Sequence, residues 1–459
     1  MKRMLFLIPL IILGLLIQPS PKLLAQSSQG GYKTQTIMIY IVGSDLESQG
    51  GLATGDIREM LQARPDQERL NVLVLTGGTT RWSTRVIPND QLGVYRIEGA
   101  NPKLVRKWES ASMGDPETLR QFLAYGVDTY PADSYGLVLW DHGGGPMVGF
   151  GVDTLFRHDG LTLFELGEAL ESSPFGQGMK LEWLAFDACL MASLEVASML
   201  SPFANYLVAS EETLPGHGFD YRFLAALSGT SLTGPEAGRE IINQTYAFYE
   251  KLSLSQPQQK NLVTLSLMDL SQASGAQEAL GALFSSLDKG LALGIYSEVA
   301  RRRDQAKAYG RTSTTDDYDL IDLYDLADKL ASLYPEESEA LKAQIAGMVL
   351  HNQANVPNSH GLSLYFPMAN KDLYGNLWAG LYQSFDVAPA YKAFMDNYGE
   401  ILLSGSLVDW TGDEAPAVTY DEETGLYFIQ LSPEQAANYK SGQYYVLSPV
   451  WGEEYMLVY

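Results

Sequence analysis

YGLVLWDHGGGP, residues 135–146, carries an apolar run straight into an acid, a histidine and three glycines. The run is short and apolar throughout, which reads as a strand buried on both faces. Gly143-Gly144-Gly145 then permits a tight turn, and three residues without side chains leave their backbone amides open to a neighbour or a ligand. A second stretch has the same design: LEWLAFDACLMASLEVA (181–197) brings an apolar strand to Asp187 and Cys189 and then becomes helical. Further strands are read in TIMIYIVG (36–43), NVLVLTGG (71–78), GVYRIEG (93–99), NYLVAS (205–210), LVTLSLMDL (262–270) and HGLSLYFP (360–367), with helical patterns between most of them. Strand-helix alternation with apolar strands predicts an α/β protein whose mainly parallel sheet is covered on both faces. In such sheets functional groups collect beyond the carboxyl ends of the strands, where both motifs stand.

The chain begins with a basic Met1-Lys2-Arg3, an apolar core over residues 4–17 and Leu23-Leu24-Ala25, the pattern of a secretory signal peptide over 1–25. Its apolar core is shorter than the roughly 20 residues of a membrane-spanning helix, so no stable membrane span is expected. Residues 26–35 read as a flexible lead-in. Removing Lys2, Arg3 and Lys22 takes the formal charge from −24 to −27, which argues against nucleic acid or an anionic membrane as partner. Cys189 is the only cysteine, so no disulfide forms within the chain. Beyond residue 403 short β-type runs with acidic turns predict a small β-rich appendage over 403–459.

A nucleophilic cysteine needs a base, donors for the developing oxyanion and a means of positioning its substrate. His142 can take and return a proton near neutral pH. The amides of Gly143 and Cys189 can form an oxyanion hole. The 47 residues between His142 and Cys189 leave room for one crossover helix. Cys189 is expected at a strand-to-helix junction, where helix amides favour the thiolate. Asp187 beside the nucleophile would raise the thiol pKa unless a substrate cation neutralised it, which points to arginine or lysine before the scissile bond. His217 is the second candidate base or a cleft-lining residue; His360, preceding its strand, is expected at the opposite sheet edge. Asp319, Asp322, Asp325 and Asp328 recur every three residues and read as a solvated acidic helix face. The glycine run lacks the features of a nucleotide loop, and no zinc-ligand spacing is present, so no metal site is expected.

Strand-His-Gly followed by strand-Asp-Ala-Cys resembles the caspase-like cysteine peptidases, and specifically the clostripain family. TIMIYIVGSDLE, AFDACLMASLEVA, YLVASEETLPGHGFDY, YDLIDLYDLADKL and HGLSLYFP extend the likeness in order over roughly residues 35–400. The resemblance implies a caspase-like α/β/α sandwich over 36–402 and a catalytic dyad of His142 and Cys189. It implies that Asp187, with Asp220 as a second carboxylate, forms the pocket for a substrate arginine or lysine. It also implies a precursor matured between the two motifs, for which Arg157 in LFRHDG is the candidate. No cofactor is required for the chemistry; calcium activation occurs in the family, but no loop diagnostic for calcium is found here. The expectation is a monomeric cysteine endopeptidase, secreted to the periplasm or outside the cell, acting on polypeptides. The alternative is an inactive binding or adhesion protein of the same fold at the cell surface, against which the intact dyad counts.

Overall fold

In the first strand, Gln35–Val42 (β1), Ile37, Ile39 and Ile41 face one side of the sheet and Met38, Tyr40 and Val42 the other, and all six are buried. Apolar residues at every position therefore demand a helical layer on each face. The computed structural model describes residues 34–229, 232–255, 262–310, 318–378, 380 and 382–404, with four short strands between 418 and 457. Residues 1–25, read above as a signal peptide, lie outside the described residues.

The central sheet also contains Leu70–Gly77 (β2), Leu92–Glu98 (β3), Asn101–Trp108 (β4), Ser134–Trp140 (β5), Leu181–Asp187 (β6), Ala204–Ser210 (β7), Thr264–Asp269 (β8) and Val349–Ala354 (β9). Its nine strands are ordered β9-β8-β7-β6-β5-β1-β2-β3-β4. The middle, from β7 to β2, is parallel. Both flanks are antiparallel. The strands that the sequence pattern does not reveal, β4 and β9, are its two edges. NPKLVRKW is mostly exposed and VLHNQA half-buried, so neither has an apolar run to betray it, and charge on β4 protects an open edge.

The helices Leu52–Ala63, Phe223–Gly229 and Gly234–Ser255 cover the face of Ile39, Trp140, Trp183 and Val208. Pro116–Thr129, Leu163–Glu171, Leu194–Leu200 and Ala273–Leu291 cover the face of Tyr40, Leu139 and Phe186. Their starts obey local rules: Asp115 caps the helix that opens with Pro116, and Thr162 with Glu165 forms a capping box. The result is the α/β/α sandwich expected from the sequence. Beyond residue 404 two antiparallel ladders are described, Val418–Asp421 with Leu426–Ile429 and Leu447–Trp451 with Glu454–Leu457.

Two expectations fail around a small second sheet made of Ala308–Tyr309, Leu320–Asp322 and Ser363–Tyr365. Because the strand after His360 belongs to this sheet, His360 is not at the far edge. The amide of Gly361 donates to Glu211 just past the end of β7, which places this segment on the same edge as Cys189. Nor is the acidic series a solvated face. Asp319 and Asp322 are fully buried and Asp325 nearly so; only Asp328 is exposed. Asp322 caps the helix Leu323–Leu330 and binds His360, while Asp319 accepts from Arg303 at 3.0 Å and from the amides of Met368, Ala369 and Asn370. A strand joined to a capped helix produced the same spacing as a helix face.

Asp319→Ala leaves the buried Arg303 guanidinium and three amides without this carboxylate. We expect a loss of about 3–5 kcal/mol in urea unfolding; a loss below about 1 kcal/mol, the net worth of one ordinary hydrogen bond, would contradict this account of the pair.

Candidate active site

The chain leaves β1 toward β2 on one side, while β5 lies against β1 on the other. This reversal opens a crevice beyond the carboxyl ends of β1 and β5. Two side chains meet across it. Asp45, in the first turn of the helix Ser44–Gly50, accepts from Nε2 of His142 at 2.8 Å. Partial burial acts to raise the Asp45 carboxyl, but the hydrogen bond and charge of His142 outweigh it and hold it below its ordinary value. Asp45 was not singled out in the sequence; its place just past β1 is the same strand-end signal that marked His142 and Asp187.

The next pair of strand ends brings Cys189 to this point. β5 and β6 pair in parallel with Trp140 opposite Asp187, and the Asp141 amide donates to the Asp187 carbonyl at 3.3 Å. The turns beyond them touch: a Cβ on Gly143 would lie 2.2 Å from the carbonyl oxygen of Cys189, so only glycine fits. The Gly143 amide lies close enough to the Cys189 thiol to act against its raised pKa. Asp141 points inward, accepting from Ser44 Oγ and from the Val152 amide, each at 2.6 Å, and burial raises its carboxyl to about 7.

Cys189 is not at a helix N-terminus. Residues 188–190 form a turn with Leu190 in the left-handed region, and the helix Leu194–Leu200 starts only after its Ser193 cap. The thiol instead accepts from the Leu214 amide at 3.3 Å and faces the Leu214 carbonyl at 3.7 Å. Burial raises its pKa; the Leu214 amide opposes this, the charges of Glu212 and Asp187 add to it, and the Gly143 amide lowers it. No hydrogen bond joins the imidazole to the thiol among the described residues.

Asp187 lies beneath the loop that covers Cys189. Its carboxylate accepts from the Phe219 amide at 3.0 Å and Tyr221 Oη at 2.9 Å. Gly218 passes so close that an added Cβ would stand 2.6 Å from Asp187 Oδ1. Burial raises the Asp187 carboxyl, as it does that of Asp56, whose Oδ2 accepts from Trp140 Nε1 at 2.7 Å and which feels the Asp187 charge. Asp220 is buried but not open to a ligand: Arg222 binds both of its oxygens. His217 is exposed and lines a pocket of about 410 Å³ with Leu52, Leu214, Pro215 and Tyr249, next to the thiol that Leu214 contacts. Arg157 is exposed in a left-handed conformation at the tip of the hairpin between Phe150–Asp153 and Asp159–Leu161. No group of three or more His, Cys, Asp or Glu side chains among the described residues is placed to hold a metal ion.

The model of the clostripain family matches residues 39–407. Clostripain of Hathewaya histolytica is 25% identical over 414 residues, covering 76% of this chain and 77% of its own. A secreted C11 cysteine protease of Bacteroides thetaiotaomicron, solved with an irreversible peptide inhibitor, superposes with a TM-score of 0.57 at 19% identity, over 79% of this chain and 99% of that one. An inactive zymogen C11 protease of Parabacteroides distasonis gives 0.58 at 20%, over 79% and 97%. The two solved structures share the sandwich described above.

Asp141 sets a pH dependence whose sign is fixed by its raised pKa. It binds its proton more tightly in the folded chain than in the unfolded one, where a carboxyl titrates near 4. The stability it contributes is complete below about pH 4 and is lost as pH rises through about 7. The melting temperature of wild type relative to Asp141→Asn is therefore expected to fall between pH 4 and 8. A difference that stays constant across this range would show that Asp141 titrates normally.

Proposed function

The chain belongs to the clostripain family and is a cysteine peptidase, a peptide-bond hydrolase, and we propose that it is a secreted endopeptidase cutting after arginine or lysine. One observation carries the assignment of its chemistry. The only cysteine of this cysteine-peptidase chain stands at a strand end in backbone contact with the glycine next to His142. His142 takes the proton from Cys189 as the sulfur attacks the scissile carbonyl. The amides of Gly143 and Cys189 hold the oxyanion; the imidazolium then protonates the leaving amine, and water hydrolyses the thioester.

Partial burial and the charges of Glu212 and Asp187 raise the pKa of the resting thiol. A substrate that enters with a cation at Asp187 supplies the positive charge that this environment lacks. Asp187 receives that cation, while Asp220, engaged by Arg222, shapes the same loop. The loop segment Leu214–Phe219 contacts both Cys189 and Asp187, so the side chain that reaches Asp187 also displaces the Leu214 contacts from sulfur. Maturation obeys the same specificity, by a cut after the exposed Arg157 between the two motifs. The leading signal segment supports secretion, and no helix among the described residues is long and apolar enough to cross a membrane.

Coumarin peptides ending in arginine or lysine test this reading in the full chain. We expect cleavage that drops about 10⁴-fold or more in Cys189→Ala. Asp187→Asn should raise KM by an amount worth about 2 kcal/mol or more, the cost of removing one partner of a buried charge pair. Mass spectrometry should find wild type cut after Arg157 and Cys189→Ala intact. Cleavage that survives Cys189→Ala, or an unchanged KM in Asp187→Asn, would refute the corresponding assignment.

A further inference from the structure

We infer that Asp45 is a positioning residue for His142: it holds the imidazole as the Nε2–H tautomer, leaving Nδ1 as the atom that takes the cysteine proton. The inference rests on the reading that His142 serves Cys189. A neutral imidazole has one N–H and one lone pair, and an ionised carboxylate can only accept. The 2.8 Å contact between Nε2 and Asp45 Oδ1 therefore assigns the proton to Nε2 whenever Asp45 is ionised. Asp45 is kept in that state: its carboxyl lies below its ordinary value, and it sits in the first turn of a helix, where the backbone dipole favours an anion.

The neighbouring acid cannot take this role. Asp141 is turned inward onto Ser44 Oγ and the Val152 amide, and no hydrogen bond joins it to the imidazole ring. The ring's base is also fixed, because the His142 carbonyl accepts from the Gly151 amide at 3.0 Å. Asp45 comes from β1, His142 from β5 and Cys189 from β6, so three adjacent strand ends each contribute one group. When the thiol proton moves from Sγ to Nδ1, both ring nitrogens carry hydrogen and the imidazolium faces the Asp45 carboxylate. The ion pair forms with no further proton transfer, which favours the charge that develops during attack.

The test has two arms, both on the full chain. In the first, Asp45→Asn is assayed on the arginine peptide. We expect kcat to fall about 10²-fold with KM unchanged, and Asp45→Glu, which keeps the carboxylate, to retain more activity than Asp45→Asn. In the second, the ring nitrogens of His142 are read by ¹⁵N NMR in Cys189→Ala, which needs no activity and no folding of an Asp45 variant. We expect Nε2 protonated and Nδ1 bare. Wild-type kcat in Asp45→Asn, or an Nδ1–H tautomer in Cys189→Ala, would overturn the inference. Activity that survives Cys189→Ala would instead overturn the nucleophile assignment, and the NMR result would still decide the role of Asp45.

Discussion

No side chain fits between Gly143 and Cys189, and the candidate site depends on that contact. Parallel pairing of β5 with β6 sets Trp140 opposite Asp187, so the residues just beyond them leave the sheet side by side. An added Cβ at Gly143 would fall 2.2 Å from the Cys189 carbonyl, far inside van der Waals contact. Absence of a side chain is thus what lets the His142 turn close onto the cysteine turn. The buried Asp141 fixes the other side of the same turn by tying it to Ser44, at the end of β1. Sheet register, one glycine and one inward acid together bring the groups from three strands to the crevice.

On the Cys189 side of that crevice the electrostatics favour uncharged groups at rest, unlike at Asp45. Burial raises the thiol of Cys189 and the carboxyls of Asp187 and Asp56, and the charge of Asp187 makes ionisation of the other two harder. Two of the groups are also covered by the loop from Leu214 to Phe219, through the Leu214 contacts to sulfur and the Phe219 amide on Asp187. A cation reaching Asp187 would change both conditions at once, neutralising the acid and moving the loop. In the proposed reaction this links recognition of the substrate to release of the nucleophile. An exposed thiolate, always ready to react, would provide no such link.

Much of this was legible in the sequence because the central strands are apolar at every position and the chemical groups interrupt them at their carboxyl ends. The same logic was blind where burial was incomplete: β4 and β9 lie at the edges and carry charged or polar side chains. Asp45 escaped notice although it stands just past a strand end, because SDLES carries no histidine, cysteine or glycine run to mark it. Its partner His142 is brought to it by the pairing of β5 with β1. Asp319 and Asp322 misled for a geometric reason, since a strand running into a capped helix repeats acids at a spacing that a solvated helix would share. The reading of Cys189 at a helix terminus missed the turn over 188–190, whose left-handed Leu190 leaves no pattern in composition or periodicity.

The central claim is that Cys189 attacks with the help of His142. Mass mapping of the purified chain after reaction with a peptidyl-arginine acyloxymethylketone tests it most directly. The account predicts one adduct, on Cys189, in wild type and none in a folded His142→Ala variant over the same time. Adduct formation at the wild-type rate in His142→Ala would contradict it, as would an active enzyme that the reagent inhibits without modifying Cys189.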